Sequence, residues 1–207
     1  HDRFNEVGVF GERVKWVKNV KGIHNAHVEA AKLSDTSYFY VVDGDAVIVD
    51  SFDFSYTTKE KDTVHVYRAI NPINDLTYGY GGVKLLPRKL ARNMDTTTND
   101  MTTSLSTKFK VMNEISNVTA FNTDPFNTWK SGFRECTKLS SKTIRGQIDD
   151  ETTKRLEIWT SIGKDREFGE YALRGARAGM LFGISDKSDL KLINDFDWLK
   201  EKFNADS

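Results

Sequence analysis

Residues 38–50 read Tyr-Phe-Tyr-Val-Val-Asp-Gly-Asp-Ala-Val-Ile-Val-Asp, and our interpretation of the chain starts from them. An apolar run rich in β-branched residues is typical of a buried strand. The run stops at Asp43 and Asp45, and Gly44 between them lets the backbone turn. Two carboxylates at the C-terminal edge of a parallel sheet can hold a hard divalent cation, and the cation can hold phosphates. The alternative interpretation is a polar turn between two strands.

The composition indicates a folded globular protein of one large domain or two small ones. Its 207 residues are 38% hydrophobic and include 13 Phe, 7 Tyr and 4 Trp, enough to fill a core. The 30 basic and 30 acidic residues balance, which disfavours binding nucleic acid mainly through phosphates. A single cysteine excludes an internal disulfide and fits a reducing compartment, so we expect a cytoplasmic protein, in the host cytoplasm if the chain is viral. No apolar run approaches membrane-spanning length, so we expect no membrane partner.

Hydrophobic periodicity predicts an α/β front part over residues 1–122 and a helical part over residues 123–207. In the front part we expect helices at 23–33 and 87–92, a long surface loop at 93–107, and strands at 14–17, 38–42, 46–49, 64–70, 83–86 and 118–121. In the helical part we expect helices at 126–139, 149–162, 168–184 and 190–203. Small residues at helical spacing in the third of these, such as Gly175 and Gly179, predict close helix packing.

The order of features over residues 14–50 resembles that of GT-A glycosyltransferases. Lys21-Gly-Ile-His-Asn-Ala-His27 opens an Ala-rich helix, and the apolar strand with Asp43-Gly-Asp45 follows. In that family a Gly-x-x-x-Ala helix precedes the metal-binding Asp-x-Asp strand by about this distance. Tyr78-Gly-Tyr-Gly-Gly82 is similar to a glycine-rich segment near donor and acceptor, and Trp129-Lys-Ser-Gly-Phe-Arg-Glu135 is similar to the segment whose acid activates the acceptor in inverting members. The chain also resembles glycosyltransferase-like proteins of tailed bacteriophages.

The resemblance implies a single GT-A-like, Rossmann-related domain over residues 1–207, with a mixed sheet flanked by helices. It implies transfer of a sugar from a nucleotide-sugar donor, a UDP-sugar by preference, to a hydroxyl on a protein, a glycan or a modified base in phage DNA. Two departures stand out. The 42 residues before Asp43 are too few for the family's first nucleotide-binding unit, so we expect that unit upstream of His1 or lost. All 4 histidines lie in the first third, so a late histidine ligand is absent or replaced.

The resemblance also implies roles for four acidic residues. Asp45 is expected to contact Mn²⁺ or Mg²⁺ directly, with Asp43 touching the ribose or reaching the metal through water. The cation would stabilise the departing diphosphate. Glu135 is the candidate general base for the acceptor hydroxyl, with a solvated helix position as the equal alternative. Asp124 is a second candidate base, but because Pro125 follows it we favour a helix N-cap.

The glycine-rich segment supplies further candidates for donor or acceptor binding. Gly81 and Gly82 would let backbone amides approach a substrate, and Tyr78 and Tyr80 could stack on a sugar or base. An ordinary loop before a strand is the alternative. Lys84 could meet phosphate, although we favour a solvated strand surface for it. His24 and His27 lie three apart on a predicted helix without a third ligand, and we interpret them as surface or packing residues.

Two other classes stay open at this point. A nucleotidyltransferase can use a similar sheet and metal-binding acids, but the basic, glycine-rich phosphate loop expected near its start is not visible. A non-catalytic or structural phage protein that retains the fold is the other alternative. Metal binding without donor turnover would favour that second class.

Overall fold

The computed structural model describes residues 13–79, 81–98, 100–143 and 147–206, except for the side chains at 103 and 104. Over these residues the chain is a mixed α/β protein with a six-stranded mixed sheet, flanking helices and a helical C-terminal part. None of the helices in this part of the chain combines the length and the apolar character needed to cross a membrane.

The strands are β1 (Tyr38–Val42), β2 (Ala46–Ile48), β3 (Thr63–Ile70), β4 (Thr77–Tyr78), β5 (Val83–Pro87) and β6 (Lys108–Thr119). The helices are α1 (Ile23–Leu33), α2 (Arg88–Arg92), α3 (Met101–Ser104), α4 (Pro125–Ser140), α5 (Asp149–Ser161), α6 (Gly169–Ile184) and α7 (Phe196–Ala205). A 3-10 helix, Leu190–Asn194, precedes α7.

The sheet runs in the order β1-β5-β3-β6-β2, and β4 pairs with β3. β3 and β6 are parallel, whereas β1 pairs antiparallel with β5. We expected the strand before the acidic pair to lie in a parallel sheet. Because β1 is antiparallel to β5, that expectation is wrong for this neighbour. Val42 pairs with Val83, so Asp43 leaves β1 at the point where β5 begins. β1 lies at one end of the described strand order and is half-buried rather than buried.

The hydrophobic core covers the sheet and continues into the helical part. Ala31 of α1 and Ala91 of α2 pack with Val64, Val66 and Leu86 of the sheet. A second cluster joins Ile73 and Phe121 of the front part to residues of α4, α5 and α6, namely Cys136, Leu139, Trp159, Ala172 and Ala176. The two parts of the chain thus share buried apolar surface, which holds α4 against the strand ends.

Close contact between α4 and α6 depends on glycine. A Cβ added at Gly175 would lie 2.0 Å from the carbonyl oxygen of Trp129, and one at Gly179 would lie 2.1 Å from that of Phe133. Those separations are far inside van der Waals contact, so the two helix backbones touch directly. The predicted small-residue packing face is confirmed.

Most predicted elements are confirmed, and the misses have physical causes. Residues 14–17 form no strand, and α3 with its buried Met101 lies within the expected surface loop. The strand expected at 118–121 is the far longer β6, which begins at the exposed, alternating residues Lys108-Phe-Lys-Val111. The helix expected at 190–203 breaks at Asp195, because this side chain accepts hydrogen bonds from the backbone N–H groups of Asp197 and Trp198 and caps α7.

Candidate functional site

The acidic turn and the glycine-rich turn are in contact. The backbone N–H of Asp43 donates to the carbonyl oxygen of Gly82 at 2.8 Å. Gly81 has a φ of +79°, a conformation that favours glycine, and a Cβ on Gly82 would lie 2.9 Å from Nδ2 of Asn117. Both glycines are buried. Their lack of a side chain therefore serves the turn and its packing on β6, and an approach of their amides to a substrate stays a prediction.

Lys84 neutralises Asp43. Its Nζ donates to Oδ1 and Oδ2 of Asp43 at 2.9 Å each and also to the carbonyl oxygen of Gly81. The side chain of Lys84 is 1% exposed, against 30% for Asp43. The expected solvated position of Lys84 is therefore wrong. Since β5 is buried along its whole length, an inward lysine is tolerated only because a carboxylate and a carbonyl pair with it.

His27 brings an unpaired ring nitrogen to the same place. Its Nδ1 lies 2.8 Å from the carbonyl oxygen of Ile23, which can only accept, so Nδ1 carries the proton and Nε2 a lone pair. Nε2 is buried without a hydrogen-bond partner in the described residues and lies 4.0 Å from Oδ1 of Asp43. Burial, and then the charge of Lys84, lower the pKa of His27 to about 3. The ring is thus neutral and packed, as we expected of a packing residue.

Asp45 has a different environment from Asp43. Its carbonyl oxygen accepts from the N–H of Ala120 at 2.7 Å, which ties the acidic turn to the end of β6. The residue is exposed, and no ion pair among the described residues ends on its carboxylate. Surrounding protein atoms still displace part of its water, and this desolvation, followed by the charge of Asp43, raises the pKa of Asp45; Lys84 and Lys130 oppose the rise.

The two carboxylates fit a divalent cation unequally. Asp45 is accessible and unpaired, which suits a hard cation that takes oxygen ligands. Asp43 already binds an ammonium group through both oxygens, so a cation there would stand next to Lys84. No group of three or more His, Cys, Asp and Glu side chains is arranged to hold a metal within the described ranges. Asp45 is therefore the residue that fits direct metal contact, and the other ligands of such a cation would be phosphate and water oxygens.

Tyr78 and Glu135, predicted separately, meet in the structure. The hydroxyl of Tyr78 donates to Oε1 of Glu135 at 2.6 Å and accepts from Nε1 of Trp159 at 3.2 Å. The guanidinium carbon of Arg155 lies 4.6 Å from the centre of the Tyr78 ring. Tyr78 is 8% exposed, so its ring is covered by protein and its polar end orients Glu135. Tyr80 lies outside the described residues.

Asp124 caps α4, as we favoured. Its Oδ1 accepts from the backbone N–H of Asn127 at 2.8 Å, and this hydrogen bond is the main cause that lowers the pKa of Asp124. The cap accounts for the carboxylate without a catalytic role.

Sequence reasoning missed two basic residues one turn apart on α4. Nζ of Lys130 lies 4.5 Å from the centre of the Phe196 ring, and its charge reaches Asp45. Nε of Arg134 donates to the carbonyl oxygen of Ile193 at 2.7 Å, and its charge also acts on Asp45. Their spacing of four on the helix that carries Glu135 was the available signal.

Comparison with protein-family models, with curated proteins and with solved structures found no match for this chain.

Proposed function

We propose that this chain is a GT-A-like glycosyltransferase that moves a sugar from a nucleotide-sugar donor to a hydroxyl acceptor with the help of a divalent cation. One observation carries the proposal: the acidic turn, the glycine turn and Glu135 are joined by hydrogen bonds. Asp43 of the acidic turn bonds to Gly82 of the glycine turn, and Tyr78, in the strand before that turn, bonds to Glu135. Metal-type carboxylates, a glycine turn and a candidate base are thus linked around residues 78–84.

The donor diphosphate is expected next to Asp45. Mn²⁺ or Mg²⁺ bound there would act as a Lewis acid for the departing diphosphate. Asp45 would hold the cation directly, whereas Asp43, fixed by Lys84, would contact the ribose or a water in the cation's shell. The positive charge of Lys130 would favour phosphate at the same place. A UDP-sugar is the donor class we expect.

Glu135 would take the acceptor proton. Its Oε1 is held by Tyr78, while no partner of Oε2 is described, so Oε2 can accept from a hydroxyl. As the hydroxyl oxygen bonds to the anomeric carbon, the bond to the diphosphate breaks and the proton passes to Glu135. A single displacement of this kind inverts the anomeric configuration. Proteins, glycans and a modified DNA base are the acceptors to test, although the lack of net charge disfavours DNA.

Calorimetric titration of UDP with and without Mn²⁺ tests the donor site. We expect Mn²⁺-dependent binding to the wild type, and at least about tenfold weaker binding to Asp45→Asn, which loses the metal carboxylate. Asp35→Asn is the matched control, since Asp35 is exposed just before β1. Equal affinity of Asp45→Asn and wild type, or no binding of UDP and other nucleoside diphosphates, would contradict the proposal.

Turnover tests the base separately. Glu135→Gln is expected to bind UDP normally and to lose at least about a hundredfold in transfer rate, the contribution typical of a general base. Donor binding without turnover in the wild type, across protein, glycan and modified-DNA acceptors, would favour the non-catalytic alternative.

A further inference from the structure

We propose that Lys84 keeps Asp43 out of direct metal coordination, so that a divalent cation binds this chain only together with the diphosphate of the donor. The inference rests on the proposed function and adds the order in which the site is filled. It assigns to Lys84 a positioning role that the family resemblance does not supply.

Lys84 is expected to stay with Asp43 when a cation arrives. Its side chain is 1% exposed, and its ammonium group has Asp43 and the carbonyl oxygen of Gly81 as partners. Leaving Asp43 would strand a buried charge without a counter-charge, which is strongly unfavourable. A cation that bound Asp43 directly would also stand against the ammonium group in a poorly hydrated place, where like charges repel most strongly.

With Asp43 occupied, Asp45 is the carboxylate left in the acidic turn, and a hard divalent cation needs about six oxygen ligands. One carboxylate and water bind such a cation weakly. Oxygens from the two phosphates of the donor add to Asp45, and water supplies the remaining ligands, so the cation and the nucleotide strengthen each other's binding by the same factor.

The buried Nε2 of His27 carries a lone pair without a partner 4.0 Å from Asp43, and its Nδ1–H is fixed by the carbonyl oxygen of Ile23. An imidazole held by a hydrogen bond from its second nitrogen to a carbonyl is the arrangement of metal-binding histidines. Removal of the Lys84 charge would therefore leave a carboxylate and an imidazole side by side, a pair that suits Mn²⁺, Co²⁺ or Zn²⁺.

Titration of Mn²⁺ followed by electron paramagnetic resonance tests the inference without any turnover measurement. In wild type we expect weak Mn²⁺ binding alone, and at least about tenfold tighter binding with UDP present. Lys84→Met should bind Mn²⁺ alone at least about tenfold more tightly than wild type, because Asp43 is released. Lys89→Met, at an exposed position of α2, should behave as wild type.

Two double variants locate the gained site. Lys84→Met/Asp43→Asn and Lys84→Met/His27→Leu should each lose the gain, and thermal unfolding shows whether each variant is folded. Mn²⁺ binding to wild type that is as tight without UDP as with it would overturn the inference, and so would a folded Lys84→Met chain without the gain. If Lys84→Met does not fold, the wild-type comparison alone decides. If UDP does not bind under any condition, the proposed function fails. If UDP binds in a metal-dependent way but the free chain also binds the metal tightly, only this inference fails.

Discussion

Substitution of Tyr78 by Phe isolates the hydrogen bonds that hold Glu135. The change removes one oxygen atom from a residue that is 8% exposed and leaves the ring in place. The described hydrogen bonds that are lost run to Oε1 of Glu135 at 2.6 Å and from Nε1 of Trp159 at 3.2 Å. A hydrogen bond to a charged group contributes about 1.5–3 kcal/mol, and a buried donor left without a partner costs about 1–3 kcal/mol.

The two contributions are not fully additive here. Glu135 is half-buried and can regain a bond to water, whereas the N–H of Trp159, which is 1% exposed, cannot. We therefore expect Tyr78→Phe to lower the free energy of unfolding by about 2–4 kcal/mol. For a chain of this length that corresponds to a fall in Tm of about 4–16 °C.

Thermal and urea unfolding followed by circular dichroism measure the effect. Tyr171→Phe is the matched control, because the Tyr171 hydroxyl makes no described hydrogen bond, and it should change stability by less than about 0.5 kcal/mol. A double-mutant cycle of Tyr78→Phe with Glu135→Gln should give a coupling of about 1 kcal/mol or more. Equal stability of Tyr78→Phe and Tyr171→Phe, or a coupling near zero, would refute the network and with it the orientation of the candidate base.

Three further predictions concern packing, capping and pH. Gly179→Ala should lower the free energy of unfolding by about 3 kcal/mol or more, because its Cβ would lie 2.1 Å from the carbonyl oxygen of Phe133. Gly44→Ala is the control: a Cβ there meets nothing within 4 Å, so the free energy from urea unfolding should change by less than about 0.5 kcal/mol. Asp124→Ala should cost about 1 kcal/mol in a thermal melt without loss of transfer activity, since the carboxylate caps a helix; a large loss of activity would instead indicate catalysis. The pKa of His27 falls from 6.5 to about 3 on folding, so between these pH values the unfolded chain binds one more proton and the free energy of unfolding decreases as pH falls. His27→Leu should reduce this pH dependence, measured by urea unfolding at pH 7 and pH 4. An unchanged dependence would contradict the buried neutral ring.

Much of the fold could be predicted because its elements carry periodic apolar patterns. β1, α1 and the helices α4–α6 are amphipathic or apolar at strand or helix spacing, and the predicted elements match the structure closely. The predicted strand at 118–121 covers only the end of β6, although Lys108-Phe-Lys-Val111 at its start alternates as a strand does. The sheet order could not be predicted, since the pairing of β1 with β5 joins residues far apart in sequence.

The side-chain pairings around the candidate site could not be predicted from the sequence. Lys84 was expected in solvent because a lysine in a strand is ordinarily exposed, and its partner Asp43 lies 41 positions earlier. The Tyr78–Glu135 bond spans 57 positions. Local sequence carries no signal for such long-range pairs, whereas the Asp124 cap, whose partner is three residues away, could be predicted.

The glycine-dependent contact between α4 and α6 has a mechanical consequence for the site. Where backbones touch without intervening side chains, neither helix can slide or rotate without losing contact, so α4 should be stiff and its amides slow to exchange with solvent. Lys130, Arg134 and Glu135 all lie on this stiff segment. Under the proposed function, adjustment to substrates of different size would then fall to the acidic turn at residues 43–46.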